Sequence, residues 1–135
     1  MPYLDSSAAR TAKLYLNGTR INADSGFAAW VQPEADTVII SDVVLVITTV
    51  STGACTLDIG TTATSATTSS DNIFDGIDAT VTAPAVNSMR VAALDSGANV
   101  EAKSLASGKW ITVDEKTGDA TGMIGVLYIT YLVGV

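Results

Sequence analysis

Two segments of this chain, 38–47 (VIISDVVLVI) and 123–133 (MIGVLYITYLV), are apolar at odd and even positions alike. A strand points successive side chains to opposite faces, so a strand with one face in water should alternate apolar and polar residues. Ser41 and Asp42 interrupt the first segment, Gly125 and Thr130 the second, and neither alternates. Both are expected to be strands that need a dry partner on each face. One face belongs to the core of the domain. A chain of 135 residues has little room for a second core, so the other face is a candidate for contact with another subunit.

The rest of the chain reads as shorter strands separated by turns. Residues 1–10 carry Pro2, Asp5, Ser6 and Ser7 without apolar periodicity and are expected to form an extended arm on a single domain spanning 11–135. A strand at 11–16 meets Asn17-Gly18, a hairpin signal because both central positions of a type I′ turn need positive φ, with a returning strand at 19–22. Asn17-Gly18-Thr19 also fits a glycosylation acceptor, but the turn is the better reading in a chain with no visible leader. Phe27 to Val31 forms a strand that Gln32-Pro33-Glu34-Ala35-Asp36 ends. The strand at 37–50, a turn at 51–53 and a strand at 55–60 look like a hairpin.

Further along, 61–70 is a Thr/Ser/Ala run with nothing large enough to anchor a core, and it is expected to be a long surface loop. Ile73, Phe74 and Ile77 suggest one helical turn. Residues 79–99 read mostly as loop with a short strand at 89–92, and 100–105 as another strand. A strand at 109–115, a turn at 116–119 and the two-faced strand at 121–133 predict a C-terminal hairpin. Apolar i, i+3, i+4 spacing never persists over about 12 residues, so no helix longer than two turns is expected. The expected fold is an all-β, antiparallel β-sandwich, jelly-roll-like, with an extended N-terminal arm.

Composition supports sheet: 47% of residues are hydrophobic but only 6% aromatic, with Val, Ile and Thr prominent. The charge of −7 comes from 14 acidic and 7 basic residues, and the basic ones (Arg10, Lys13, Arg20, Arg90, Lys103, Lys109, Lys116) are scattered. Phosphate neutralisation, and so nucleic-acid binding, is not expected. The first residues show no basic-then-apolar leader pattern, and no apolar run reaches the length of a membrane span, so neither secretion nor a membrane partner is expected. The single Cys55 cannot form an internal disulfide and, between Ala54 and Thr56, reads as a small buried hydrophobe.

Chemistry is sparse. With no histidine, the commonest general base, Ser-His-Asp and Cys-His arrangements and most zinc sites are excluded, and no phosphate-binding glycine motif occurs. No enzyme and no cofactor is expected. Asp71, Asp75 and Asp78, with Asn72 and Gly76, suggest a calcium loop, because hard cations take several carboxylates. The spacing does not match a twelve-residue calcium loop and no Glu closes it, so Asx-turns are preferred and no metal is assigned. Trp30, Trp110, Tyr128 and Tyr131 are candidates for an interface, since Trp and Tyr are enriched at hot spots, although aromatic residues also fill sandwich cores.

The segments 43–60 and 71–78, with Lys109-Trp110-Ile111-Thr112-Val113 and Gly125 to Tyr131, resemble capsid decoration, or cement, proteins of tailed bacteriophages over about two-thirds of the chain. The resemblance implies a self-associating β-sandwich, a trimer, that is made in the host bacterial cytoplasm and binds major capsid protein on the virion exterior. It also implies a shell-contacting arm, with Pro2, Tyr3 and Leu4 the residues to contribute. A glycan- or receptor-binding module of a fibre is the alternative, which Trp30 and Trp110 would serve if displayed in a row.

Overall fold

The computed structural model describes residues 8–19, 26–65, 70–80, 89–90 and 103–134, with backbone alone at Phe27, Met89, Arg90 and Lys103. They form nine strands: β1 (Ala8–Leu16), β2 (Gly26–Val31), β3 (Val38–Thr49), β4 (Cys55–Thr62), β5 (Phe74–Asp78), β6 (Met89–Arg90), β7 (Lys103–Leu105), β8 (Trp110–Gly118) and β9 (Ile124–Val133). One sheet has the order β1-β9-β3-β6, with β7 also on β3, and the other the order β2-β8-β4-β5. All pairings are antiparallel, and the two sheets pack as a β-sandwich.

The inner faces follow from alternation. Val38, Ile40, Val43, Leu45 and Ile47 of β3 and Leu127 and Ile129 of β9 are buried, facing Leu57 and Ile59 of β4 and Ile111 and Val113 of β8. A bulge puts both Ser41 and Asp42 of β3 opposite Thr130, which keeps Ile40 and Val43 on the core side. Cys55 is buried at the start of β4, as its neighbours predict.

Two expected hairpins are not hairpins. β3 and β4 lie in different sheets, as do β8 and β9. Each of these strands carries a full apolar face, and pairing β3 with β4 side by side would leave both faces on one side without a cover. Placed in opposite sheets, the two faces cover each other. The connecting loops spend their backbone bonds on neighbouring loops instead of closing a tight turn: Ser51 N donates to Ala79 O (3.1 Å) and Thr52 N to Thr121 O (2.9 Å). The same crossing separates β1 from β2, and after β1 Asn17-Gly18 makes an Asx-turn, with Thr19 N donating to Asn17 Oδ1 at 3.0 Å. The returning strand expected at 19–22 lies, apart from Thr19, outside the described residues.

The helical turn expected from Ile73, Phe74 and Ile77 is strand β5. Leu57 pairs with Ile77 and Ile59 with Phe74, so β5 uses three steps where β4 uses two. Gly76, at φ 70°, sits in this bulge, and the extra residue brings positions three apart onto one face, imitating a helical period. Residues 8–10, expected in the arm, belong to β1, while 1–7 lie outside the described residues. The turn expected at 116–119 comes later, because β8 runs on to Gly118.

The alternation makes a direct prediction. Leu127→Ala, on the inner side of β9, should cost ~2–5 kcal/mol in urea unfolding. Val126→Ala, on the outer side of the same strand, should cost less than about 1 kcal/mol at protein concentrations where the chain is a monomer.

Candidate functional site: the outer face of the first sheet

The two segments that are apolar on both faces, β3 and β9, are neighbours in one sheet. Their outer sides therefore merge. With β1 on the other flank of β9, the register stacks four rows: Tyr15, Val126 and Val46; Lys13, Tyr128 and Val44; Thr11, Thr130 and Asp42; Ala9, Leu132 and Ile39. Val44, Val46, Val126, Tyr128 and Leu132 are half-buried, whereas Tyr15 is 73% and Ile124 52% exposed.

Polar groups on this face are few and ordered. Thr11 and Thr130 share a hydrogen bond between their hydroxyls at 3.1 Å, and Ser41 Oγ donates to Thr130 O at 3.2 Å. Lys13 Nζ lies 5.6 Å from the centre of the Tyr128 ring, a cation–π contact. Lys13 is on β1 and Asp42 on β3, so the two described charged side chains flank the apolar centre on opposite sides.

The other sheet does not offer such a face, because the chain covers it. Asp58, Gly60, Thr112 and Asp114 point outward by register yet are buried. Ser70 lies directly on Gly60, where a Cβ would come within 2.4 Å of its Oγ. Asn72 holds this segment down: its Oδ1 accepts from Thr61 N (2.9 Å) and its Nδ2 donates to Thr61 Oγ1 (2.8 Å). The described ends of the 61–70 run thus fold back on the sheet, and 66–69 lie outside the described residues.

The interface candidates do not meet at one place. Trp30 and Tyr131 come together at the inner rim of the sandwich, ring centres 5.3 Å apart. There Glu34 accepts from Arg10 (2.5 Å) and from the Tyr131 hydroxyl (3.3 Å), joining β1, β9 and the turn after β2. Burial, with the nearby Glu34 charge, pushes the Tyr131 phenol above its ordinary value. Gln32 anchors the same turn: it is 2% exposed, and its Nε2 donates to Asp36 O (2.7 Å) and Leu105 O (3.2 Å). Tyr128 is on the outer face of the first sheet. Trp110 shares the outer side of the second sheet with Val31, opposite to Trp30, so these two tryptophans do not form the row that a glycan-binding surface needs. Pro2, Tyr3 and Leu4 lie outside the described residues.

The acidic cluster forms with one member exchanged. Carboxylate oxygens of Asp58, Asp71 and Asp75 lie within 4.8 Å of one another, while Asp78 instead accepts from Thr80 N (2.8 Å) and Oγ1 (2.6 Å), which lowers its pKa. Asp58 was missed because alternation reads it as an ordinary outward residue of β4. Burial raises its pKa, against a hydrogen bond from Gly76 N (2.9 Å) and the charge of Lys116. Lys116 pairs with Asp75, and that bond holds its ammonium above the usual range. A lysine already supplies the compensating positive charge here.

Among the described residues, no helix is long and apolar enough to cross a membrane. No family model matches the sequence, and no curated protein does. In the solved structures, the chain is similar to one in the acidic stable capsid structure of Helicobacter pylori bacteriophage KHP30, with a TM-score of 0.57 and 15% identity. The likeness covers 96% of this chain and 94% of that one, and shows a shared fold.

The raised pKa of Asp58 has a pH signature. The folded chain holds this proton more tightly than the unfolded chain, so the group's contribution is complete below the ordinary carboxylate value of 3.8 and is lost as pH rises through the folded value. Asp58→Asn keeps an acceptor for Gly76 N but cannot ionise. Its urea midpoint relative to the parent should therefore improve between about pH 3.5 and pH 7. A relative midpoint that falls over that range would show that Asp58 is stabilised as the anion.

Proposed function

We propose that this chain is a non-enzymatic structural protein of a tailed-phage particle that binds the outer surface of the capsid and stabilises it. The observation that carries the reading is the fold likeness to a chain of a phage capsid structure, which runs almost end to end in both chains. The wiring agrees with a jelly-roll-like shell protein: every connection except β4–β5 and β6–β7 crosses between the sheets. An apolar sheet face that no described segment covers, on an acidic chain, fits a protein that works in an assembly and stays soluble before it. In this reading residues 1–7, with Pro2, Tyr3 and Leu4, clamp the major capsid protein, and the chains self-associate on the shell, a trimer being the arrangement the resemblance implies.

The test is reconstitution. Purified chain added to capsids that lack it should co-sediment with them at saturable stoichiometry and raise the temperature at which the shells release their contents. Removal of residues 1–7 should weaken binding by at least about tenfold, with the sandwich intact by circular dichroism. Protein that stays in the supernatant at micromolar concentration, with shell melting unchanged, would overturn the reading.

A further inference from the structure

We propose that the first four residues of β1, Ala8 to Thr11, open as a unit separate from the rest of the strand, and that the ion pair between Arg10 and Glu34 is the latch that holds them closed. Burial and hydrogen bonding along β1 carry this, apart from the capsid reading.

The strand divides at Ala12. From there on, every second side chain reaches the core: Ala12 and Leu14 pack against it half-buried, and Leu16 is 2% exposed. Ala8, Ala9, Arg10 and Thr11 are all exposed, on both faces. Apolar burial, the main force that holds a strand on a sandwich, therefore contributes little to this half.

Backbone pairing holds it from one side. β1 ends the order of its sheet, so 8–11 pair with β9 alone, from Ala8–Val133 to Thr11–Thr130. In the same stretch β9 has a second neighbour, since Leu132 also pairs with Ile39 and Tyr131 with Ile40 of β3. Release of 8–11 thus leaves β9 in its sheet.

Two side-chain contacts add to this pairing. Thr11 and Thr130 share their hydroxyl bond on the outer face. On the inner side Arg10, opposite Tyr131 in the register, reaches Glu34 on the turn after β2 at 2.5 Å. Glu34 is a fixed catch. Its backbone N donates to Oε1 of the buried Gln32, and its backbone O accepts from Ser107 Oγ at 2.7 Å. Its carboxylate also accepts from the Tyr131 hydroxyl, on the strand that stays in place. Only the Arg10 end of the latch belongs to a segment that can leave. An ion pair on the surface shifts an equilibrium by about fivefold at most. Such a shift would not hold a strand against the loss of core contacts, but it sets the balance of a segment that has none. On the capsid reading, release lengthens the arm by four residues, about 13 Å of slack between shell and sandwich.

Native-state hydrogen exchange of the free chain, read by NMR at the β1 amides bonded to β9 over a series of sub-denaturing urea concentrations, tests the latch. In the parent chain, the amides within 8–11 should share one rate, insensitive to urea and at least about a hundredfold above that of 12–16, which follow the urea dependence of global unfolding. Arg10→Glu, which sets two carboxylates against each other, should speed exchange in 8–11 by about fivefold or more, and Glu34→Gln, which keeps an acceptor without the charge, by about threefold. The chain carrying both Arg10→Glu and Glu34→Arg should return to near the parent rate. Circular dichroism of each variant checks that the sandwich is intact. A smooth gradient of rates from Ala8 to Leu16, or exchange of 8–11 along the global urea dependence, would overturn the separate unit. Rates in 8–11 that ignore Arg10→Glu, or a double variant as fast as Arg10→Glu alone, would overturn the latch.

Discussion

The antiparallel pairing of β3 with β9 is the contact on which the rest of this molecule depends. It joins the two most apolar segments of the chain along most of their length, from Ile39–Leu132 to Thr49–Ile124. On the inner side it supplies Val43, Leu45, Ile47, Leu127 and Ile129, all fully buried in the core. On the outer side it places Val44, Val46, Val126 and Tyr128 in one patch, with Ile39 and Leu132 beyond the Asp42–Thr130 row. Side by side, the two strands present one apolar surface that neither presents alone.

The crossing connections follow from the same surplus of apolar side chains. Inner-facing residues of β3 and β9 need a cover, and the segments that provide it, β4 and β8, are the next in sequence on one side and the preceding one on the other. Sequence neighbours thus become partners across the core and not along a sheet. The second sheet pays no comparable attention to the outside, because residues 70–73 fold over it and Asn72 fixes them to Thr61. Among the described residues the two sheets therefore end with different exteriors: the second is covered by residues 70–73, and no described segment lies over the first.

Much of this was legible in the sequence, and the parts that were not have definite physical causes. Strand positions followed from apolar patterning, and so did the apolar character of both faces of 38–47 and 123–133. Partners were not legible, since a turn such as Ser51-Thr52-Gly53 has the same residues whether it closes a hairpin or crosses a sandwich. β5 was misread because the bulge at Gly76 gives Phe74 and Ile77 a helical spacing in an extended chain. The acidic cluster was half legible: Asp71 and Asp75 were in sight, but Asp58 and Lys116 arrive from β4 and β8 through pairing that no local spacing reveals.

The central claim is that the outer face of the first sheet is covered in the assembled protein. Hydroxyl-radical footprinting of the free chain and of the assembled particle measures this directly, with Tyr15, Ile124 and Tyr128 as reporters on the open face and Tyr131, on the inner side of the same strand, as the internal reference. The account predicts that oxidation of Tyr15, Ile124 and Tyr128 falls several-fold on assembly while that of Tyr131 is unchanged. Equal oxidation of the three in free and assembled protein would contradict it.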